Sequence, residues 1–122
     1  MPVKADDSAG TLRQLKIKTG VVKRLHKEES VYQQEVKAQV AIVEKLKRDG
    51  ADGADIRAAE RVLKESEKMI PITRDSLQEA HQVLKDLVNA VKTDEEISCS
   101  QEFGDAFSIL QQVEADWKNG GN

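Results

Sequence analysis

The sequence predicts an all-α fold, an elongated antiparallel three-helix bundle, and three observations carry that expectation. The chain has 122 residues, of which 34% are charged and 3% aromatic, a bias towards long helices and away from sandwiches, barrels and α/β enzymes. Glycine and proline punctuation leaves three long segments. Within each segment the apolar residues recur at helical spacing, and nowhere do they alternate between hairpin turns as strands would.

The first helix is expected from about Ser8 to Arg48, stopping at Asp49-Gly50-Ala51-Asp52-Gly53, the strongest loop signal in the chain. Leu15, Val22, Val36 and Val43 form one row, and Leu25, Tyr32 and Leu46 a second. Lys18, Glu29 and Gln39 interrupt these rows. Ile17, Val21, Val31 and Ile42 are expected to widen the stripe on one flank, as on a helix touching two others. Gly20 lies inside this helix on an outward position. There it is either a tolerated glycine or a place where a partner backbone comes close.

The second helix is expected over 54–91 and has the clearest periodicity. Ile56, Leu63, Ile70, Leu77, Leu84 and Val91 recur every seven residues, with Ala59, Ser66, Thr73, Ala80 and Leu87 three residues after each of the first five. Such a repeat keeps one seam facing its neighbours. Pro71 removes a backbone hydrogen bond and crowds the preceding turn, at a local cost of about 3 kcal/mol. The repeat stays in phase across it, so a kinked helix is expected rather than a chain reversal. The third helix, over 93–117, is expected to open with a Thr93-x-x-Glu96 capping box and to bury Phe103, Ala106, Leu110, Val113 and Trp117. Residues 1–7 read as a flexible tail and 119–122 as a frayed end. Short connections make the three helices pack up-down-up.

Charge and reactive residues narrow the function. The net charge is −3 with one cysteine, which argues against nucleic acid as the main ligand and rules out an internal disulfide. Neither His26 nor His81 has a nucleophile or metal-ligand partner at a recognisable motif spacing, and both read as helix-surface or seam-edge histidines. Cys99 lies among acidic neighbours, not in the electropositive setting of a reactive cysteine. No glycine-rich phosphate loop is present. An enzyme is not expected, nor is any cofactor or metal. No apolar run approaches the roughly 20 residues of a membrane span, and the first ten residues lack a signal peptide's apolar stretch, so a cytoplasmic protein is expected. Charge is nonetheless uneven. Residues 1–27 carry Lys4, Arg13, Lys16, Lys18, Lys23, Arg24 and Lys27 against Asp6 and Asp7, whereas residues 93–117 carry seven acids and no base. An up-down-up bundle sets these stretches side by side, where they pair internally or present a mixed-sign face to a protein partner.

Two stretches go beyond a generic helix. Leu15-Lys16-Ile17-Lys18-Thr19-Gly20-Val21-Val22-Lys23-Arg24-Leu25, running on to Lys27-Glu28, resembles the opening helix of the tubulin-binding cofactor A family. Glu65-Ser66 followed by Met69-Ile70-Pro71, then Leu77 and Ala80, resembles that family's middle helix, including its mid-helix proline. The resemblance covers about residues 12 to 117. It implies a folding cofactor that captures quasi-native β-tubulin released by the cytosolic chaperonin, without nucleotide hydrolysis, and passes it to other tubulin-folding cofactors. The matching positions put forward for partner binding are Lys16, Lys18, Thr19, Gly20, Lys23, Arg24, Lys27, Glu65, Met69, Pro71 and Ile72. Met69 and Ile72 serve equally well as flanks of the seam. Glu67-Lys68 and Ile72-Thr73 depart from the family's pattern beside the proline. The other reading is a three-helix coiled-coil adaptor of cytoskeleton or vesicle traffic. Either protein is a monomer or a weak homodimer.

Overall fold

A computed structural model describes residues 7–120. The elements are α1 (Ser8–Arg48), α2 (Gly53–Val91), α3 (Glu95–Ser98) and α4 (Gln101–Gly120). The tail expected over 1–7 lies outside the described residues except for Asp7, which directly precedes α1. Of the end expected to fray, Asn119 and Gly120 are helical and the rest lies outside. The chain divides into two compact units, Met1–His26 with Leu77–Asn122, and Lys27–Ser76.

The first unit contains the main core. Leu15 and Val22 of α1, Leu77, Leu84, Val88 and Val91 of α2, Ile97 of α3, and Ala106, Ile109, Leu110 and Val113 of α4 are buried together. Polar contacts give the helix directions. Ser8 bonds Glu96 of α3 at 3.3 Å and His26 bonds Asp116 of α4 at 2.5 Å, so the segment from α3 into α4 runs alongside α1 in the same sense. His81 bonds Glu114 at 2.8 Å, and Val88 and Asn89 further along α2 lie by Phe107 and Gln111 earlier in α4, so α2 runs against α4. This is the up-down-up order.

The second unit is an antiparallel pair formed by the end of α1 and the start of α2. Its turn is a Schellman motif. Ala51 donates its amide to the Leu46 carbonyl at 3.0 Å and Gly50 to the Lys47 carbonyl at 3.2 Å. Gly50 takes φ +68°, which disfavours any residue with a Cβ. Two of the three polar residues that broke the rows of α1, Glu29 and Gln39, meet partners here. Glu29 is buried and pairs with Arg74, and Gln39 donates to the Ala59 carbonyl at 3.0 Å. The seam of α2 follows the predicted rows: every position from Ile56 and Ala59 to Leu87 and Val91 is buried or half-buried. The helix continues through Pro71, which faces solvent along with Glu67, so the carbonyl deprived of its donor lies on a wet side.

Three expectations change. The third segment is two helices, not one. Asp94 rather than Thr93 is the N-cap of α3, accepting from the Ile97 amide at 3.2 Å. Aspartate is the stronger cap. One turn later Ser100 caps afresh: its hydroxyl accepts from the Phe103 amide at 3.1 Å and donates to the Ile97 carbonyl at 2.5 Å. Secondly, α4 runs to Gly120, beyond the expected end. Thirdly, the flank of Ile17, Val21, Val31 and Ile42 is exposed, Ile17 by 52%. Two residues advance a helix by about 200°, so Ile17 points away from Leu15 rather than beside it.

Two outcomes test this account. Arg74→Met alone is expected to destabilise the protein by about 3–5 kcal/mol, because it strands the Glu29 carboxylate. Adding Glu29→Leu should recover most of that loss in urea melts. Gly50→Ala should cost about 1–2 kcal/mol in the same assay, since alanine is strained at positive φ.

Candidate functional site

A cleft of the first unit lies between α1 and the first turns of α4. Lys16, Thr19, Gly20 and Lys23 stand three or four residues apart and so share one helix face. Opposite them, Gln101, Glu102 and Asp105 form the other wall, and the groove encloses about 420 Å³. Gln101 donates to the Asp105 carboxylate at 2.8 Å, tying two of the wall residues together. Lys16 and Lys23 are exposed at the rim and make no salt bridge among the described residues.

Thr19 forms the floor. It is 5% exposed, and its hydroxyl is buried without a hydrogen-bond partner, an arrangement that costs about 1–3 kcal/mol. Gly20 is exposed, and a Cβ added there would meet nothing within 4 Å. Packing within the chain therefore does not demand glycine at this position.

The structure brings together only part of the expected set. Lys18 is half-buried on α1 and Arg24 and Lys27 are exposed, but none of the three lines the groove. Glu65, Met69, Pro71 and Ile72 belong to the second unit. Glu65 is exposed and pairs with Lys68 at 3.3 Å. Met69 is half-buried, Pro71 is exposed, and Ile72 is 57% exposed, so Ile72 is no part of a closed seam. Sequence reasoning missed the contribution of Gln101, Glu102 and Asp105. Its signal was the charge contrast between the first and last segments, which does place them face to face. Among the described residues, Ser8 pairs with Glu96 and His26 with Asp116 across that face.

The histidines are more embedded than expected. His81 is buried, bonds Glu114, and stacks on Trp117 with ring centroids 4.8 Å apart and tilted by 57°. Lys85 approaches the same Glu114 oxygen at 3.8 Å. A smaller cleft of about 200 Å³ runs past Lys85, Val88, Phe107 and Leu110 between α2 and α4. Phe107, 49% exposed, stands in its wall. Cys99 is exposed and caps the end of α3. Among the described residues no three His, Cys, Asp or Glu side chains are grouped to hold a metal ion. Among the same residues no helix is long and apolar enough to cross a membrane.

Fold and grooves together define an all-helical bundle protein whose accessible features are open surface clefts. The chain belongs to the tubulin binding cofactor A family, whose model matches residues 10–110. It is 41% identical to the tubulin-specific chaperone A of Gallus gallus over 102 residues, covering 84% of this chain and 92% of the relative. It is 35% identical to that of Homo sapiens over the same shares. The crystal structure of tubulin folding cofactor A from Arabidopsis thaliana superimposes with a TM-score of 0.79 at 36% identity, covering 88% of this chain and 98% of that one. The structure of human tubulin chaperone cofactor A gives 0.68 at 34% identity, covering 85% and 98%.

Glu114→Ala removes the partner of a buried imidazole and is expected to destabilise the protein by about 1–3 kcal/mol. Trp117 fluorescence during urea unfolding reads this directly, because its ring lies against His81.

Proposed function

We propose that this chain is a tubulin-folding cofactor. It captures quasi-native β-tubulin after release from the cytosolic chaperonin, holds it without chemistry of its own, and yields it to further tubulin-folding cofactors on the way to the α/β heterodimer. It acts in the cytoplasm. The observation that carries this reading is membership of a family whose relatives, in bird, mammal and plant, are named for tubulin.

The surface chemistry agrees. A protein that is nearly folded still exposes apolar area, and a cofactor that holds it needs apolar side chains of its own that are free to receive it. Val31, Ile42, Val62 and Ile72 of the second unit are all at least 40% exposed. An acidic partner such as tubulin is also drawn by the exposed lysines and Arg24 of α1. Lys16, Lys23, Arg24 and Lys27 act in this reading as steering charges, and Met69, Pro71 and Ile72 as a docking edge.

The deciding experiment mixes the purified chain with β-tubulin released from chaperonin and resolves the products on native gels. A shifted complex containing β- but not α-tubulin is expected. Its absence where the human relative forms one would overturn the reading.

A further inference from the structure

Large apolar side chains left in solvent mark a contact surface when they gather on one face, and in the second unit they do. The buried rows of each helix define heptad positions a and d, with Val36 and Val43 at a on α1 and Ile56 and Leu63 at a on α2. Val31 and Ile42 of α1 and Val62 and Ile72 of α2, the exposed large apolar residues of this unit, then all fall at c or g. Those two positions are neighbours on the helix surface, beside d. Lys47 and Glu60, both at e, pair at 3.4 Å, so the e positions of the antiparallel helices meet on one side. The g positions therefore meet on the other side, with the c positions flanking them. Exposed Ala38 at c and half-buried Met69 at g complete one apolar face shared by both helices.

The charge of this face has one sign. Glu28 and Glu35 at g of α1, with Asp55 at g and Glu65 at c of α2, stand among the apolar residues. The sole base at c or g of this unit is Lys45, already held by Asp49 at 2.8 Å. Glu35 and Asp55 make no ion pair among the described residues. Glu65 bonds Lys68 at 3.3 Å, an exposed pair that a partner's cation can replace at little cost.

We propose that this face seats a cationic amphipathic helix of a partner protein, laid along the groove between α1 and α2. Its apolar side chains, at three- and four-residue spacing, enter between Ile42, Val62 and Met69. Lysines or arginines beside them reach Glu35, Asp55 and Glu65. A helix is the shape these two helices accept: in the first unit they hold α4 through His26 and His81, both at e, bonded to Asp116 and Glu114. From Val31 to Lys45 the face runs about 21 Å at 1.5 Å per residue, room for roughly four helical turns. Charge decides against an acidic helix. It also decides against a second copy of the chain, which would set these carboxylates against their own kind.

The inference deepens the tubulin reading, resting on it only for which protein carries the helix, and the test separates the two. An eighteen-residue helical peptide of leucine and lysine, with leucines on one face, is titrated into the full isotope-labelled chain and followed by amide NMR. The leucine–glutamate peptide is run in parallel. The basic peptide is expected to shift signals within Val31 to Lys45 and Asp55 to Ile72, and the acidic one to leave them unmoved. Ile42→Ser with Val62→Ser should weaken the basic peptide about tenfold or more, since both leucine-binding side chains are lost. These residues are exposed, so the melting temperature should stay unchanged. Glu35→Lys with Glu65→Lys should exchange the preference, losing the basic peptide and gaining the acidic one, a gain that misfolding would not produce. Val83→Ser, on the first unit, should change nothing. Shifts spread evenly over the chain, equal binding of both peptides, or full affinity in the double-serine variant overturns the face. So does a native dimer in sedimentation that the double-serine variant abolishes, which would give the face to a second copy.

The same variants are then run in the β-tubulin gel. If the native chain binds β-tubulin and the double-serine variant binds it equally well, the inference about the face falls and the tubulin reading stands. If the basic peptide occupies the face but the native chain captures no β-tubulin, the tubulin reading falls and the face stands.

Discussion

The six largest side chains with no exposed surface, Leu15, Val22, Leu77, Leu84, Ile97 and Val113, are the constraint on which the first unit depends. They come from all four helices. Burying each contributes about 1.5–3 kcal/mol, and their contacts fix how α1, α2 and α4 are rotated about their axes. That rotation turns Lys16, Thr19 and Lys23 towards the first turns of α4 and makes the groove. Ile97 accounts for the shortest helix as well. It is the one buried residue of α3, so the turn between Asp94 and Ser100 is a peg holding the entry to α4 against the core.

The second unit rests on different forces. Its fully apolar burial is thin, with Val43 and Ala59 the buried hydrophobic residues of the pair. Glu29 and Thr73 are buried in the same unit, fourteen residues along their helices from Val43 and Ala59. A buried ion pair such as Glu29 with Arg74 contributes little net stability, because desolvation offsets attraction, but it penalises any alignment that separates the two charges. Polar specification and apolar surplus on the outside go together here. Side chains such as Ile72 and Ile42 would add more to a core than to a surface, yet they face solvent.

The heptad rows were legible in the sequence because burial obeys the geometry of a helix whatever its neighbours are. Leu63, Leu77 and Leu84 declare a seam, and the structure has one. The Asp/Gly loop was equally legible, since glycine takes the left-handed position at Gly50 without strain. What stayed hidden depends on partners distant in the chain. Glu29 reads as a flaw in a row until Arg74 is placed opposite it. His81 reads as a seam-edge residue until Glu114 and Trp117 enclose it. The break at Ser100 escaped because a serine that caps one helix and closes another differs in no local pattern from a serine on a helix surface. The groove was half visible. Its lysine wall lies in a run of sequence that stands out, and its acidic wall lies in a segment with no motif.

The Schellman turn at Gly50 also bears on the order in which the chain assembles. The helical pair it joins brings together neighbours in sequence, with little entropy lost in closing the loop. The first unit must instead gather residues such as Ser8 and Glu96, or His26 and Asp116, from opposite ends of the polypeptide. Once the pair has zipped, Lys27 to Ser76 no longer count as free chain between those ends, and the distant contacts become nearly local ones. The thinly packed unit thereby acts as a splint: weak as a core, it shortens the search that the well-packed unit has to make.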